Sequence, residues 1–207
     1  VRDRLLGSDL PFAHLDLDLI VDGDVRSAAK QLARAAGGPA FELSDAFGAW
    51  RVIAGDRTWQ ADLTPMRGGS LESDLSLRDF TVNAIAEPLA GGERFDPFGG
   101  AQDLGARRLR MVGPQSFADD PLRVLRLARF AVMLGLTPDE GTVQAARDAA
   151  GELGQVAAER VFYELKRIVV AEGYDTHPCC DRPGSAGSPT VLEHTAQLLA
   201  AGQTSDA

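Results

Sequence analysis

Asp16 and Asp18 stand two residues apart in the run LDLDLIV, residues 15–21, which otherwise reads as a buried β-strand. Aspartate is depleted in strands, and a buried carboxylate without a partner is costly, so two of them need a reason. Side chains alternate along a strand, which sets Asp16 and Asp18 on one face with Cα atoms roughly 6.5–7 Å apart. Leu15, Leu17 and Leu19 then point to the other face, toward a core. Two close carboxylates repel unless a proton or cation intervenes. Mg2+ answers that need, because it takes a few carboxylate oxygens together with water and substrate phosphates. Two-metal phosphoryl and nucleotidyl transfer uses this arrangement, with ions about 3.5–4 Å apart. A bare D-x-D also occurs on solvated strand faces. A glycosidase-type acid–base pair is a further rival, although its carboxylates normally come from separate elements that flank a bond.

The elements that must hold these side chains can be read in outline. A strand spans 14–21, and VRSAAKQLARAA at 25–36 has helical periodicity, stopped by Gly37-Gly38-Pro39. Strands at 50–54 and 58–63 flank Gly55-Asp56, good hairpin chemistry, and the return strand carries Asp62 as a third carboxylate. Residues 70–87 read as a polar loop and a short helix, and 94–104 as turn-rich. After about residue 114 the pattern becomes helical. Asp120-Pro121 is a start signal, since Asp caps and proline fits the first helical position. Helices are expected over 121–134, 138–150 and 157–171. The proline-, glycine- and serine-rich run THPCCDRPGSAGSP then reads as linker. These signals predict an α+β protein: a mixed-sheet domain over 1–113, a helical one over 114–171 and a low-order tail over 172–207.

Composition bounds the partners. The 207 residues are 44% hydrophobic and 25% charged, ordinary for a globular protein. No apolar run is long enough to span a bilayer, and the two cysteines, Cys179 and Cys180, imply no disulfide framework. A cytoplasmic protein without a membrane partner is expected. The net charge of −9 argues against a general nucleic-acid-binding surface. Residues 101–135 are locally basic, however, with six arginines against three aspartates. That fits carboxylates at a catalytic centre and an anionic ligand nearby.

The neighbours of the D-x-D pair sharpen the reading. VRDRLLG at 1–7 followed by DLDLIVDG resembles the first signature of the class II tRNA nucleotidyltransferase and bacterial poly(A) polymerase family. SLESDLSLRDFTVNAIA at 70–86, FDPFGGAQDLGARRLR at 95–110, FADDPLRVLRLARFAVMLGL at 117–136 and AAERVFYELKRIV at 157–169 resemble the next four, in order. The resemblance implies a nucleotidyltransferase head with a five-stranded sheet, then an all-helical neck. It implies attack of an RNA 3′-OH on the α-phosphate of CTP or ATP, with tRNA or another RNA 3′ end as partner. Asp16 and Asp18 would hold Mg2+, and Asp62 stands where some relatives place a third carboxylate. Arg2 and Asp3 would lie beside the triphosphate, a guanidinium binding phosphate oxygens bidentately. Arg78, Asp79 and Asn83 would meet the nucleotide and its ribose.

In the fourth signature, Asp120 and Arg123 would read the incoming base by Watson–Crick-like hydrogen bonds, and Arg126 and Arg129 would add nucleotide contacts from the same helix side. Asp119 takes the place of a common glutamate. Glu159, Arg160 and Glu164 read as ion pairs that stabilise their own helix. CCA addition, poly(A) synthesis and CC- or A-only addition all share these residues. Two departures from the pattern stand out. The family's strand and Gly-Gly turn before VRD have no counterpart ahead of Val1, which predicts a missing edge strand and a weakened phosphate cradle. The match also fades near residue 171, so a catalytically inactive nucleotide- or RNA-binding remnant is the reading from another class. His177, Cys179, Cys180 and His194 match no standard zinc spacing.

Overall fold

The computed structural model describes residues 1–7, 15–45 and 47–172. His14, Cys179, Cys180 and the tail expected over 172–207, save residue 172 itself, lie outside the described residues. The elements run in chain order: α1 (Arg2–Leu5), β1 (Leu15–Val21), α2 (Val25–Ala36), β2 (Ala40–Ser44), β3 (Ala49–Ile53), β4 (Trp59–Pro65), α3 (Leu71–Ser76) and a 3-10 turn at Thr81–Asn83. Then follow α4 (Gly100–Gly105), β5 (Arg108–Leu109), α5 (Ser116–Asp119), α6 (Arg123–Leu134), β6 (Thr137–Pro138), α7 (Glu140–Ala149), a 3-10 turn at Ala150–Gln155, and α8 (Ala158–Glu172). The chain divides into two compact units: a sheet unit, Gly7–Leu75, and a helical unit, Val1–Leu6 with Ser76–Ala207. The junction drawn from the sequence at 113/114 falls inside the helical unit.

In the sheet unit the strand order is β1-β4-β3-β2. β1 and β4 are parallel and the other pairs antiparallel, so the sheet is mixed. Four strands are present among the described residues where the family resemblance implies five, and β1 has a strand neighbour on one side only. α2 covers one face. Its residues Val25, Ala29 and Ala33 recur every four positions, and they bury against Val52, Ala61 and Leu63. Leu17, Leu19 and Val21 join that layer half-buried, as the alternation of β1 predicts, but Leu15, expected with them, lies at the start of the strand and is exposed. Asp24 caps α2 by accepting from the Ser27 amide at 3.2 Å, and Gly37 ends it in the left-handed conformation. The expected hairpin forms between β3 and β4, where the Asp56 carboxylate accepts from the Thr58 amide and hydroxyl at 3.0 and 2.8 Å. β2 carried no readable signal. A bulge between Glu42 and Ser44 breaks its alternation, and Phe41 and Leu43 are exposed.

The helical unit is built on Phe80, whose ring meets Phe117 and Phe130 edge-on at 6.3 and 5.9 Å. α6 packs on α8 through Ala128 and Ile168, with Val132 and Leu165 beside them. α6 starts two residues later than its sequence signal, because Asp120 stays extended and its side chain accepts from the Leu122 amide at 3.3 Å. Asp139 caps α7 through the Thr142 amide at 2.7 Å.

The second and third signatures are fastened together by a buried carboxylate. Asp103, fully buried, accepts from the Thr81 hydroxyl at 2.7 Å and from Nε of Arg108 and Arg110 at 2.6 and 3.0 Å. Asp96 receives the Gly100 and Ala101 amides at 2.7 and 2.8 Å and so begins α4. Gly100 lies against the Thr81 carbonyl, where a Cβ would collide with backbone. Gly100→Ala is therefore expected to destabilise the protein by about 2 kcal/mol net, overpacking outweighing the gain of about 1 kcal/mol in helix propensity. Urea unfolding checks this, and a stabilised variant would contradict the close approach.

Candidate active site

The sheet face opposite α2 is polar because four strands place compatible side chains in register. Asp18 pairs with Asp62 across β1 and β4, Asp62 with Arg51 across β4 and β3, and Arg51 with Phe41 across β3 and β2. One row thus reads Asp18, Asp62, Arg51, Phe41. Asp16 lies one pleat along, opposite Gln60, whose side-chain amide donates to Asp16 Oδ1 at 2.6 Å. Asp16 and Asp18 are exposed, and the Asp18 side chain enters no hydrogen bond among the described residues. The sequence's third carboxylate, Asp62, does reach the same face. Its two oxygens, however, are taken by Nε and Nη2 of Arg51, both at 2.6 Å. The bidentate bond to Asp62 is the largest influence on Arg51 and raises its pKa. Burial opposes that rise, while the charges of Asp62, Asp16 and Asp18 reinforce it.

Asp16 and Asp18 suit a hard divalent ion: they offer carboxylate oxygens, on one face, open to solvent. With Asp62 neutralised by Arg51, the four charged groups leave two negative charges on this face. Among the described residues no group of three or more His, Cys, Asp or Glu side chains is arranged to hold a metal.

The other residues singled out in the sequence belong to the helical unit, where several converge on Phe130. Arg2 donates Nε to Asp3 at 2.7 Å and Nη1 to Asn83 at 2.5 Å, with its guanidinium 5.2 Å from the Phe130 ring centre. The Asn83 amide donates to Asp79 Oδ1 at 2.9 Å, and the Phe80 amide reaches the same oxygen at 2.8 Å. Arg126 approaches Asp79 Oδ2 at 2.8 Å and lies 5.6 Å from the same ring. Arg129, 7% exposed, approaches Glu164 at 2.7 Å and the ring at 4.3 Å. Burial lowers the Arg129 pKa, with the Glu164 charge opposing it. These two ion pairs are close but misaligned: Asp79 Oδ2, Arg126 Nε, Arg129 Nε and Glu164 Oε2 are buried without a hydrogen-bond partner.

Asp120 and Arg123 are held apart by different partners. Asp120 pairs with Arg160 at 2.8 Å. Arg123 donates to the carbonyls of Leu77 (2.6 Å), Arg78 (3.2 Å) and Ser116 (3.0 Å), and to the Ser116 hydroxyl (3.0 Å). Its pKa is lowered chiefly by burial, against the charges of Asp79 and Asp120. Half-buried Arg78 supplies one of those carbonyls. One expectation needs correction. Arg160 and Glu164 do not stabilise α8 from within; they reach outward, to Asp120 and to Arg129 on α6. Spacing within one helix cannot show which neighbouring element a side chain meets. Arg51, Gln60 and Arg160 were not foreseen as site residues. Gln60 was within reach, since it shares Asp62's strand parity; Arg51 was not, because a two-residue Gly55-Asp56 turn would put it opposite Gln60, and only the four-residue connection 55–58 sets it opposite Asp62.

Comparisons with known proteins agree with the signatures. The family described as the poly A polymerase head domain matches residues 1–110. A CC-adding tRNA nucleotidyltransferase of Geobacter sulfurreducens is 36% identical over 169 residues, covering 82% of this chain and 38% of that protein. An A-adding tRNA nucleotidyltransferase of Deinococcus radiodurans is 45% identical over 178 residues, again covering 82% and 38%. A Thermotoga maritima CCA-adding enzyme complexed with tRNA has the same fold, with a TM-score of 0.77 and 28% identity, covering 95% of this chain and 44% of that one. The chain thus spans less than half the length of these relatives. With the head-domain match extending over residues 1–110 of 207, the chain belongs to the class II tRNA nucleotidyltransferase and poly(A) polymerase family.

Proposed function

We propose that this protein is an RNA nucleotidyltransferase that adds CMP or AMP, from CTP or ATP, to the 3′ end of tRNA and releases pyrophosphate. The observation that carries this reading is the pair of exposed carboxylates, Asp16 and Asp18, on one open sheet face of a chain from this family. Asp16 and Asp18 are the residues to hold a divalent ion, Mg2+ in our reading. Bound there, it supplies Lewis-acid neutralisation of phosphate charge and a more acidic attacking hydroxyl. Gln60 steadies one Asp16 oxygen and leaves the other for ligation.

Nucleotide recognition we assign to the helical unit. Arg2, with Asp3 holding its guanidinium, offers charge to phosphate oxygens. Asp79 and Asn83 take the sugar hydroxyl, and Arg78, Arg126 and Arg129 supply cationic donors. Asp120 accepts from an exocyclic amine of the base, and Arg160 fixes the orientation of its carboxylate. Arg123 complements it by donating to ring and carbonyl acceptors, which requires release from the backbone carbonyls it now holds. Residues 1–113 act as the family's head and 114–171 as its neck. Among the described residues no helix is long and apolar enough to cross a membrane, and we assign the protein to the cytoplasm.

The test is incubation of this chain with Mg2+, labelled CTP or ATP, and an RNA ending at the tRNA discriminator base. Incorporation by the wild type and none by Asp16→Ala is the expected result. Product length separates the family's activities: CC, A alone, CCA or a long A tail. Nucleotide binding without transfer under every condition would overturn the enzymatic reading in favour of a binding protein.

A further inference from the structure

Asp62 lies beside Asp18 in register, on the face proposed to hold the divalent ion, yet its position alone does not make it a ligand. Arg51 stands directly opposite it on β3 and closes a two-point bond, 2.6 Å on each oxygen. A carboxylate bound in this fork has both oxygens directed at the guanidinium, and its charge is cancelled locally. The Asp16 and Asp18 charges also act on Arg51, in addition to that of Asp62. The cation therefore belongs electrostatically to the whole acidic face.

We propose that Arg51 withholds Asp62 from the ion and so limits the site to the two carboxylates of Asp16 and Asp18. Arg51 is a positioning residue: it acts on the ion through Asp62 and touches neither ion nor substrate. Two carboxylates balance one divalent charge, and a third free carboxylate would bind the ion more tightly than a cycling site needs. The inference rests on the metal reading of Asp16 and Asp18.

The experiment is calorimetric titration of the 207-residue chain with Mn2+, a spectroscopically and thermally convenient probe, with thermal unfolding as the check of fold. Arg51→Met is expected to tighten Mn2+ binding about tenfold, because a cation leaves the face and a carboxylate joins it. Arg51→Met with Asp62→Asn should return the affinity to within about twofold of wild type, since the added ligand is gone along with its guard. Asp62→Asn alone leaves the Arg51 charge uncompensated on the face and should weaken binding a few-fold, by less than about tenfold. Asp16→Asn should abolish binding in every background. Unchanged affinity in Arg51→Met, or a tenfold loss in Asp62→Asn alone, overturns the guarding role while binding still depends on Asp16. Mn2+ binding indifferent to Asp16→Asn overturns the metal reading itself, and the guarding role with it.

Discussion

Asp18→Asn is expected to slow nucleotide transfer by about a thousandfold or more, while stability stays within about 0.5 kcal/mol of wild type. The two halves of that result have separate causes. The Asp18 side chain is exposed and makes no hydrogen bond among the described residues, so the isosteric amide breaks no native hydrogen bond. Removing its charge relieves repulsion with Asp16 and gives up attraction to Arg51, two effects that oppose each other. Transfer suffers because the amide cannot supply the anionic oxygen that the bound ion requires. Losing several kcal/mol of charge stabilisation at about 1.4 kcal/mol per tenfold gives a drop of about three decades. A single-turnover assay beside a urea unfolding curve reads both quantities. Loss of activity in step with loss of stability would mark Asp18 as a folding residue and not a catalytic one.

Asp103→Asn should give the opposite profile, a large loss of stability. Asp103 is fully buried, and its two oxygens serve the Thr81 hydroxyl, Arg108 and Arg110. Breaking a buried ion pair by removing one partner costs about 3–5 kcal/mol when the remaining charge stays buried. Both arginine side chains are partly exposed, 45% and 34%, and can turn to water, so the lower end applies. A loss of about 3 kcal/mol corresponds to a melting-temperature fall of about 6–12 °C for a chain of this size.

The pH dependence carries a sign. Burial pushes the Asp103 pKa up, but the Thr81 hydroxyl, Arg108 and Arg110 together outweigh it and hold the group below the ordinary carboxylate range. Its folded pKa is thus depressed. Its stabilising contribution is complete above the unfolded value of about 3.9 and is lost as pH falls through the folded value. The gap in melting temperature between wild type and Asp103→Asn should be widest near neutrality and close in acid. A gap independent of pH would show that Asp103 acts by packing alone.

The shared face of Asp16 and Asp18 was legible in one dimension because strand alternation is a local rule. Period-two spacing assigned Asp16 and Asp18 to one face and Leu17 and Leu19 to the other, without knowledge of any partner strand. Local rules also served the α2 stripe, the Asp56 turn and the α6–α8 helices. β2 escaped because its bulge and exposed side chains remove the alternation on which strand recognition depends. The five signatures identified the family, since residue types in order survive without coordinates.

What only the tertiary structure decided is who holds whom. A sequence does not state that Arg51 claims Asp62, that Arg160 reaches Asp120, or that three arginines gather round Phe130. It marks Asp103 only as one acid in a turn-rich segment, whereas the fold makes it the buried hub of two signatures. The physical reason is common to these cases. Backbone periodicity depends on neighbours along the chain, while ion pairing depends on distances across strands and helices that register and packing set.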